Sequence, residues 1–237
     1  MGRKGSPPVQ EELFEPPRGL YAQEEEFWAR RRYVAGVDEA GRGPLAGPVV
    51  AAAVILDPAR RIVGLRDSKL LTVLQRRRLA RLIREHALGW AVCRVGPSRI
   101  DADNILEATR YAMRRALSRL TVLPAAVLVD GRLRLPGIPW PQRAIVRGDR
   151  RCASIAAASI LAKVVRDAFM LRADRLYPGY GFGLHKGYGT ASHIEALDRL
   201  GPCPIHRRSF HGVVRVFGIG PSLFPPLPLG ADPPPPP

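Results

Sequence analysis

The fold prediction begins with residues 33–50, which read YVAGVDEAGRGPLAGPVV. Residues 33–38 have the composition of a short buried strand, and the Val- and Ala-rich residues 47–56 have that of a second. Between them lies a loop containing Gly41 and Gly43, and glycine adopts backbone conformations that other residues avoid. The stretch therefore predicts two consecutive strands joined by a glycine-rich loop.

Strand and helix patterns alternate along the rest of the chain. Residues 70–87 place Leu79, Leu82 and Ile83 on one face and arginines on the other, which predicts an amphipathic helix. Further strands are predicted over 90–95, 125–129 and 144–146, with helices over 104–120 and 154–175 and shorter helices around 190–200. This order indicates an α/β domain with a mixed central β-sheet flanked by helices.

Three of the predicted strands end at or near acidic residues. Asp38 and Glu39 follow the first strand, Asp130 closes another, and Asp149 follows the last. Sites in open α/β sheets gather at the carboxyl ends of strands. Adjacent side chains on a strand face opposite ways, so we expect a turn at Gly41 to bring Asp38 and Glu39 to one site.

Carboxylates of this kind indicate a site for hard divalent cations. Mg²⁺ and Mn²⁺ prefer oxygen ligands. Four carboxylates are enough to hold two such ions about 4 Å apart, an arrangement used for in-line displacement at phosphorus. The sequence therefore favours chemistry on a phosphate ester.

The chain is strongly basic, with 37 Lys and Arg residues against 21 Asp and Glu residues and a formal net charge of +16. This balance favours a polyanionic partner. No apolar run approaches the ~18 residues that a membrane helix needs, so nucleic acid is favoured over a membrane. A basic protein with a local acidic cluster is typical of a nuclease. Three widely separated cysteines and an N-terminus without an apolar signal core indicate a cytoplasmic protein.

Residues 33–50 resemble the opening signature of the ribonuclease HII family. Other segments resemble that family in the same order: Asp-Ser-Lys at 67–69, Val-Asp-Gly at 129–131, Gly-Asp at 148–149 with the helix that follows, His-Lys-Gly-Tyr-Gly-Thr at 185–190, and residues 201–210. The resemblance covers residues 33–217. One departure is Arg147, where the family usually has a lysine; the charge is kept.

The resemblance implies a ribonuclease H-like fold with a helical C-terminal segment. It also implies a metal-dependent endonuclease that degrades the RNA strand of RNA–DNA hybrids and incises 5′ to ribonucleotides embedded in duplex DNA. Two Mn²⁺ or Mg²⁺ ions would serve during catalysis, and the products would carry 5′-phosphate and 3′-hydroxyl ends. By motif position, the catalytic metal ligands would be Asp38, Glu39, Asp130 and Asp149.

The same resemblance implies how the substrate is recognised. The loop Gly41-Arg42-Gly43 would read the 2′-hydroxyl through its backbone, and Tyr188 would stack on the sugar at the RNA–DNA junction. The 2′-hydroxyl is the group that distinguishes RNA from DNA. Phosphate contacts are expected from four further residues, Lys69, Ser159, Lys163 and Lys186.

Several acidic and histidine residues have a second interpretation. Asp167 is an alternative fourth acid, but an i,i+4 ion pair with Lys163 is the simpler interpretation. Asp101 and Asp103 precede a predicted helix and are expected to be caps or first-turn acids. Four histidines lack zinc-site spacing and are expected to be structural or surface residues: His185, His193, His206 and His211.

Two other classes of function fit the sequence less well. A hybrid-binding module without catalysis would lack one of the four acids, and none is missing. Another nuclease or polynucleotidyl transferase of the same fold would not need the long first motif or the Tyr188 segment. The sequence favours the enzyme over both.

The chain is expected to have three parts. Residues 1–30 are predicted to be a flexible leader, with Phe27 and Trp28 docked on the domain. Residues 31–218 are the predicted catalytic domain, and residues 219–237 a disordered proline-rich tail. A monomer is expected, because the substrate should cover the exposed site.

Overall fold

A mixed five-stranded sheet with helices on both faces forms the domain, and the computed structural model describes residues 19–217. The strands are β1 (Val34–Ala40), β2 (Val49–Ile55), β3 (Gly89–Val95), β4 (Ala126–Asp130) and β5 (Gln142–Ile145). The α-helices are α1 (Ala22–Trp28), α2 (Val73–His86), α3 (Pro97–Ser118), α4 (Ala153–Leu176), α5 (Phe182–His185), α6 (Ala191–Leu200) and α7 (His211–Phe217). Short 3₁₀-helices cover Ser68–Leu70 and Gly148–Arg150.

The strands are arranged in the order β3-β2-β1-β4-β5. β2 pairs antiparallel with β1 and β3, whereas β4 pairs parallel with β1 and with β5. Because β1, β4 and β5 run the same way, their carboxyl ends meet at one edge of the sheet. The predicted α/β fold with a mixed sheet is confirmed, and the parallel strands are the ones that end in acids.

The two faces of the sheet bury different helices. Alternate residues of β2 pack into the hydrophobic core on one face of the sheet or the other, because successive side chains on a strand face opposite ways. Ala51 and Ala53 pack with α3. Val50, Ala52 and Val54 pack with α2 and α4. β2 is buried along its whole length, which explains why its sequence is a continuous apolar run.

α4 lies directly against β1 at Gly36. A Cβ atom added to Gly36 would overlap the backbone of Ser154 and Ile155. The first ten residues of α4, 153–162, are all buried and half of them are alanine. Small residues on both elements therefore allow a close approach, which holds the N-terminal half of α4 over the end of β1.

Residues 19–30, which fall within the predicted leader, include the helix α1 and pack on the domain. Tyr21 and Glu24 are buried, and α1 begins at the residue after Tyr21. Glu24 Oε1 accepts hydrogen bonds from the Ser154 amide at 2.8 Å and from its hydroxyl at 2.6 Å. The first amides of a helix lack acceptors within the helix, so Glu24 caps α4 and ties α1 to the domain.

The outer ends of the chain are not described. Residues 1–18 of the predicted leader and the whole predicted tail, 219–237, lie outside the described residues. Phe27 and Trp28 both pack against the domain core, as expected. Within residues 19–217, no helix is both long and apolar enough to cross a membrane.

α3 begins at Pro97, seven residues before the predicted start at 104. Asn104 adopts φ 71°, which kinks the helix, and its side chain accepts hydrogen bonds from the amides of Leu106 and Glu107. Asn104 thus caps the second half of α3, and asparagine is among the residues that tolerate a positive φ. The sequence prediction found this second half only.

Asp101 and Asp103 lie inside α3 and are not caps, which corrects their expected role. Asp103 forms an ion pair with Arg99 at 2.8 Å. Asp101 accepts hydrogen bonds from the amides of Arg208 and Ser209 at 3.0 and 2.9 Å. Asp101 therefore anchors the C-terminal segment to α3.

We predict that Gly36→Ala strongly destabilises the protein, because the added methyl group overlaps the α4 backbone. Overpacking of this kind costs about 1–3 kcal/mol or more. Gly89→Ala in β3 is the matched control, since its Cβ would have neighbours at the ordinary distance of 3.8 Å. In urea unfolding, the midpoint of Gly36→Ala should be lower than that of wild type, and the midpoint of Gly89→Ala should be unchanged. Equal midpoints for the two variants would contradict the close approach of α4 to β1.

A second prediction concerns the buried cap Glu24. Burial raises the pKa of Glu24, so its contribution to stability is full below the unfolded pKa of about 4.3 and is lost as the pH rises through the folded value. Glu24→Gln keeps an acceptor oxygen without the charge and should gain stability relative to wild type as the pH rises to 7. Glu24→Ala leaves the Ser154 amide buried without its acceptor and should lose about 1–3 kcal/mol.

Unfolding curves at pH 5 and pH 8 test both substitutions. A Glu24→Gln protein as unstable as Glu24→Ala at pH 8 would show that the charge, and not the acceptor, stabilises α4.

Candidate active site at the carboxyl edge of the sheet

The four predicted acids all lie at the edge where β1, β4 and β5 end. Asp38 and Glu39 belong to β1 and Asp130 is the last residue of β4. The register places Val37 beside Val129, so Asp38 and Asp130 occupy adjacent positions on neighbouring strands. Asp149 lies in the 3₁₀-helix that follows β5. The structure therefore brings the ends of three chain segments together as predicted.

Asp38 is the most enclosed of the four acids, with 5% of its surface exposed. It points to α4, where it forms a hydrogen bond with Ser159 and also accepts one from the Glu39 amide at 2.7 Å. Burial, together with the charges of Glu39 and Asp130, raises the pKa of Asp38 well above its usual range. Ionisation of Asp38 therefore costs free energy at this position, and a bound cation would offset that cost.

Ser159 lies buried beneath Asp38. Its side chain is buried, with 6% of its surface exposed, and its hydroxyl lies 3.0 Å from that of Ser68. The two serines form a polar connection from the 3₁₀-helix Ser68–Leu70 to Asp38. In this structure the Ser159 hydroxyl is engaged by Asp38 and Ser68, and the phosphate contact expected of Ser159 stays a prediction.

Glu39 starts from the opposite face of β1. The strand continues to Ala40, so the turn expected to bring Asp38 and Glu39 together comes too late to reorient either residue. The Glu39 carboxylate lies 3.5 Å from Nη1 of Arg42. Burial raises the pKa of Glu39, Arg42 lowers it, and Asp130 raises it again. Glu39 is therefore close enough to Asp130 to be affected by its charge, while Arg42 restrains the Glu39 side chain.

Asp149 lies near a further acid, Asp67. Burial raises the pKa of Asp149, and the charges of Asp67 and Asp130 raise it further. Asp67 accepts a hydrogen bond from the Lys69 amide at 2.9 Å and two from the Arg150 guanidinium at 3.0 and 2.9 Å. Asp67 thus shapes its own loop and also fixes Arg150, the residue next to Asp149.

The donor set suits hard divalent cations. All four acids offer carboxylate oxygens, and burial and mutual repulsion raise the pKa of three of them. Among the described residues, no three His, Cys, Asp or Glu side chains converge into a ready-made metal cage. Mg²⁺ is commonly held by one or two carboxylates together with substrate phosphates and water, without a cage made only of protein. The residues present therefore fit such ions.

Lys69 provides positive charge at the same edge. Its side chain is exposed, and its charge lowers the pKa values of Glu39 and Asp149 against the effect of burial. Lys163 and Lys186 are engaged elsewhere: Lys163 pairs with Asp167 at 2.7 Å, and Lys186 donates to the Gly183 carbonyl. Of the three lysines named as phosphate contacts, Lys69 is the one placed among the acids.

The Gly41–Gly43 loop and Tyr188 form one surface. Gly43 is exposed, and a Cβ atom built on it would lie 3.9 Å from the Tyr188 ring. Tyr188 has 47% of its surface exposed, which leaves its ring accessible. Gly41 is buried and has φ +94°, a conformation that favours glycine. The two predicted recognition elements are therefore neighbours, beside the last residues of β1.

Three histidines support the Tyr188 segment from below. His193 Nδ1 lies 2.8 Å from the Tyr188 carbonyl, and its Nε2 lies 3.1 Å from Nε2 of His206. His206 Nδ1 accepts a hydrogen bond from the Cys203 amide at 2.9 Å. Burial and the charge of His193 lower the pKa of His206 to about 4, so it is neutral at pH 7. The expected structural role is thus observed for His193 and His206, and His185 stacks on His193 at 4.3 Å.

Sequence reasoning missed two buried arginines beneath this surface. Arg166 and Arg207 have 1% and 0% of their surfaces exposed. Arg166 had a detectable signal, because it falls in a buried stripe of α4 with Ala162, Met170 and Ala173. A charged residue in such a stripe needs polar partners. Arg207 lies outside any helix or strand, so no periodic pattern marks it.

A family model for ribonuclease HII matches residues 35–213. The chain belongs to the ribonuclease HII family. The ribonuclease HII of Nitrosococcus oceani is 58% identical over 182 residues, which cover 77% of this chain and 90% of that protein. The ribonuclease HII of Laribacter hongkongensis is 57% identical over 191 residues, covering 80% and 96%. The crystal structure of ribonuclease H2 from Pyrococcus horikoshii superposes with a TM-score of 0.66 at 28% identity, covering 78% and 96%.

Membership of the ribonuclease HII family makes the chain an enzyme of the ribonuclease H class, an endonuclease that cleaves RNA in RNA–DNA hybrids. The expected ribonuclease H-like fold is confirmed by the same similarity. The acidic edge and the surface formed by Gly43 and Tyr188 are therefore parts of a nuclease.

We predict that Asp149, and not Asp167, is the fourth essential acid. Asp149→Asn removes a charge at the acidic edge and should lower kcat by at least about 10²-fold, since metal ions at such sites contribute several kcal/mol. Asp167→Asn breaks only the ion pair with Lys163 and should retain wild-type kcat within about threefold, because partly exposed pairs contribute little. Steady-state cleavage of an RNA–DNA hybrid distinguishes the two. A larger loss for Asp167→Asn would reverse the assignment.

Proposed function

We propose that this ribonuclease HII-family chain incises 5′ to ribonucleotides embedded in duplex DNA, in addition to degrading the RNA strand of RNA–DNA hybrids. The observation that carries the proposal is the proximity of the exposed loop at Gly43 to the exposed ring of Tyr188, beside the acidic ends of the parallel strands. A surface this small suits a single sugar, and the acids beside it suit a single phosphodiester.

Asp38, Glu39, Asp130 and Asp149 would hold two Mg²⁺ or Mn²⁺ ions, which when bound supply an activated water and stabilise the leaving oxygen. The protein's own contribution is positional. The Ser159 hydroxyl orients Asp38, and Arg42 restrains Glu39. Asp130 accepts a hydrogen bond from the Gly148 amide at 2.7 Å, which joins the end of β4 to the turn that bears Asp149. Hydrolysis in this geometry would leave 5′-phosphate and 3′-hydroxyl ends.

Recognition of the sugar would use the loop 41–43 and Tyr188. Glycine at position 43 lets the backbone approach a ribose closely, because a side chain there would occupy the space in front of the Tyr188 ring. The aromatic ring offers a stacking face that accepts any neighbouring nucleotide sequence. Lys69 is the phosphate contact best supported by its position, while Lys163 and Lys186 would first have to leave their present partners.

The expected setting of the enzyme follows from the chain itself. Cys93, Cys152 and Cys203 are unpaired and buried, which supports work in a reducing, cytoplasmic compartment. We infer a monomer, since the surface around Gly43 and Tyr188 must be open to receive a duplex.

The test is cleavage of a DNA duplex that carries one ribonucleotide, with Mg²⁺, with Mn²⁺ and with EDTA. We expect metal-dependent incision on the 5′ side of the ribonucleotide. Asp38→Asn keeps the shape of the side chain and removes its charge, so kcat should fall on the order of 10³-fold.

Asp57→Asn is the matched control. Asp57 follows β2, which is antiparallel to β1, so it lies at the other edge of the sheet, where its side chain accepts a hydrogen bond from the Ala59 amide. Its kcat should stay near that of wild type. Cleavage of long hybrids without incision at a single ribonucleotide would overturn the proposal, and so would incision that persists in EDTA.

A further inference from the structure

Arg166 and Arg207 are buried cations whose hydrogen bonds go to main-chain carbonyl groups. Arg166 donates from Nε to Pro48 O at 3.1 Å, and from Nη2 to Ala46 O at 3.2 Å and Lys186 O at 2.9 Å. Arg207 donates from Nε to Gly47 O at 3.0 Å, from Nη1 to Arg42 O at 2.8 Å, and from Nη2 to Gly41 O. Each guanidinium therefore satisfies three carbonyl groups.

These six carbonyl groups belong to the two recognition segments. Five lie between residues 41 and 48, and the sixth belongs to the segment that carries Tyr188. Backbone hydrogen bonds join the same parts: the Leu45 amide donates to Gly187 O at 2.8 Å, and the Arg207 amide donates to Leu45 O at 2.8 Å. The two arginines therefore lock the loop after β1 to the Tyr188 segment.

The direction of these hydrogen bonds orients the loop's amides. The described chain has no cis peptide bond, and in a trans peptide the carbonyl of one residue points opposite to the amide of the next. With Gly41 O and Arg42 O directed at the buried Arg207 guanidinium, the amides of Arg42 and Gly43 point away from it. Arg42 and Gly43 are both exposed, so these two donors face the surface on which Tyr188 lies.

Two outward amides match the chemistry of a ribose hydroxyl. The 2′-hydroxyl is a donor and acceptor that deoxyribose lacks, and a fixed pair of N–H groups offers it a partner. A site built to hydrogen-bond a hydroxyl rejects the analogue that lacks it, because its donors are left unpaired. The amides discriminate in this way only if they cannot turn inwards, and Arg207 prevents that by occupying the adjacent carbonyls.

The packing around Gly41 shows that Arg166 supports the same arrangement. A Cβ atom on Gly41 would overlap Nε and Cδ of Arg166. The guanidinium carbon of Arg166 also lies 5.9 Å from the centre of the Tyr188 ring. Arg166 therefore fills the space that glycine leaves and contacts the ring from behind.

Both arginines are charged at neutral pH. Burial and the nearby charge of Arg166 lower the pKa of Arg207 to about 9, which leaves it protonated at pH 7. Hydrogen bonds from a charged donor are stronger than neutral ones, and a lysine cannot reproduce the planar fork that reaches three carbonyls.

We propose that Arg207, supported by Arg166, is a positioning residue that sets the discrimination between ribonucleotide and deoxyribonucleotide. It acts by holding the Arg42 and Gly43 amides outwards beside Tyr188. The proposal rests on the proposed incision at embedded ribonucleotides, and it adds the residues that make the backbone of this loop a selective reader.

The test compares Arg207→Lys and Arg166→Lys with wild type on one pair of duplexes. KM is measured for a duplex with one ribonucleotide, and the inhibition constant Ki for an all-DNA duplex of the same sequence. KM should rise about tenfold in Arg207→Lys, since bonds to charged groups are the stronger ones, while Ki should stay unchanged because the charge is kept. A protein that had only lost folded fraction would lose Vmax and keep both constants.

Arg119→Lys is the control for the substitution itself. Arg119 donates from its Nη1 to Val92 O at 3.2 Å, which joins the end of α3 to β3 far from the recognition loop, and this variant should keep both constants. If Arg207→Lys does not fold, Arg166→Lys tests the proposal instead: its ratio of Ki to KM should be lower than that of wild type. Wild-type enzyme without preference for the ribonucleotide duplex would overturn the proposed function. A wild-type preference that both variants retain would overturn this inference alone.

Discussion

The distance between α4 and β1 is set by the missing side chain of Gly36, and the rest of the site depends on it. With no Cβ at this position, the backbone of Ser154 and Ile155 lies directly on the strand. Ser159, further along α4, then reaches Asp38. A wider gap would admit water to Asp38 and remove its hydroxyl partner. The position of the principal carboxylate is therefore fixed by backbone packing and not by an ion pair.

The acids at the end of β1 and the buried arginines Arg166 and Arg207 lie near the same loop, but they do not form ion pairs with each other. Asp38 is buried and is repelled by Glu39, while Arg166 and Arg207 bind carbonyl groups of the loop after β1 and of the Tyr188 segment. A direct buried ion pair would satisfy both signs, yet it would leave the acids less able to take cations and the carbonyls without donors. Keeping the charges apart is expensive in desolvation. The surrounding alanine-rich core supplies the rigidity that this arrangement requires.

Much of the site could be predicted because local patterns report it. Apolar runs that end in acids locate Asp130 and Asp149, and parallel strands bring such ends together. We expected a turn at Gly41 to bring Asp38 and Glu39 to the same side. β1 continues past both residues, so the usual alternation of side chains on a strand holds for them. The same limit applies to Ser159: a hydroxyl inside a motif indicates involvement, but the motif does not show that the group supports a neighbour, as Ser159 does for Asp38.

The parts that could not be predicted depend on contacts between distant segments. Glu24 meets Ser154 across 130 positions, and Arg207 meets Gly47 across 160. No periodicity within either segment records its partner, so Glu24 was assigned to a flexible leader and Arg207 to no role at all. The same separation has a functional consequence. The backbone amides of the loop 41–43 cannot hold their own direction. Their orientation therefore depends on arginines supplied from distant parts of the chain.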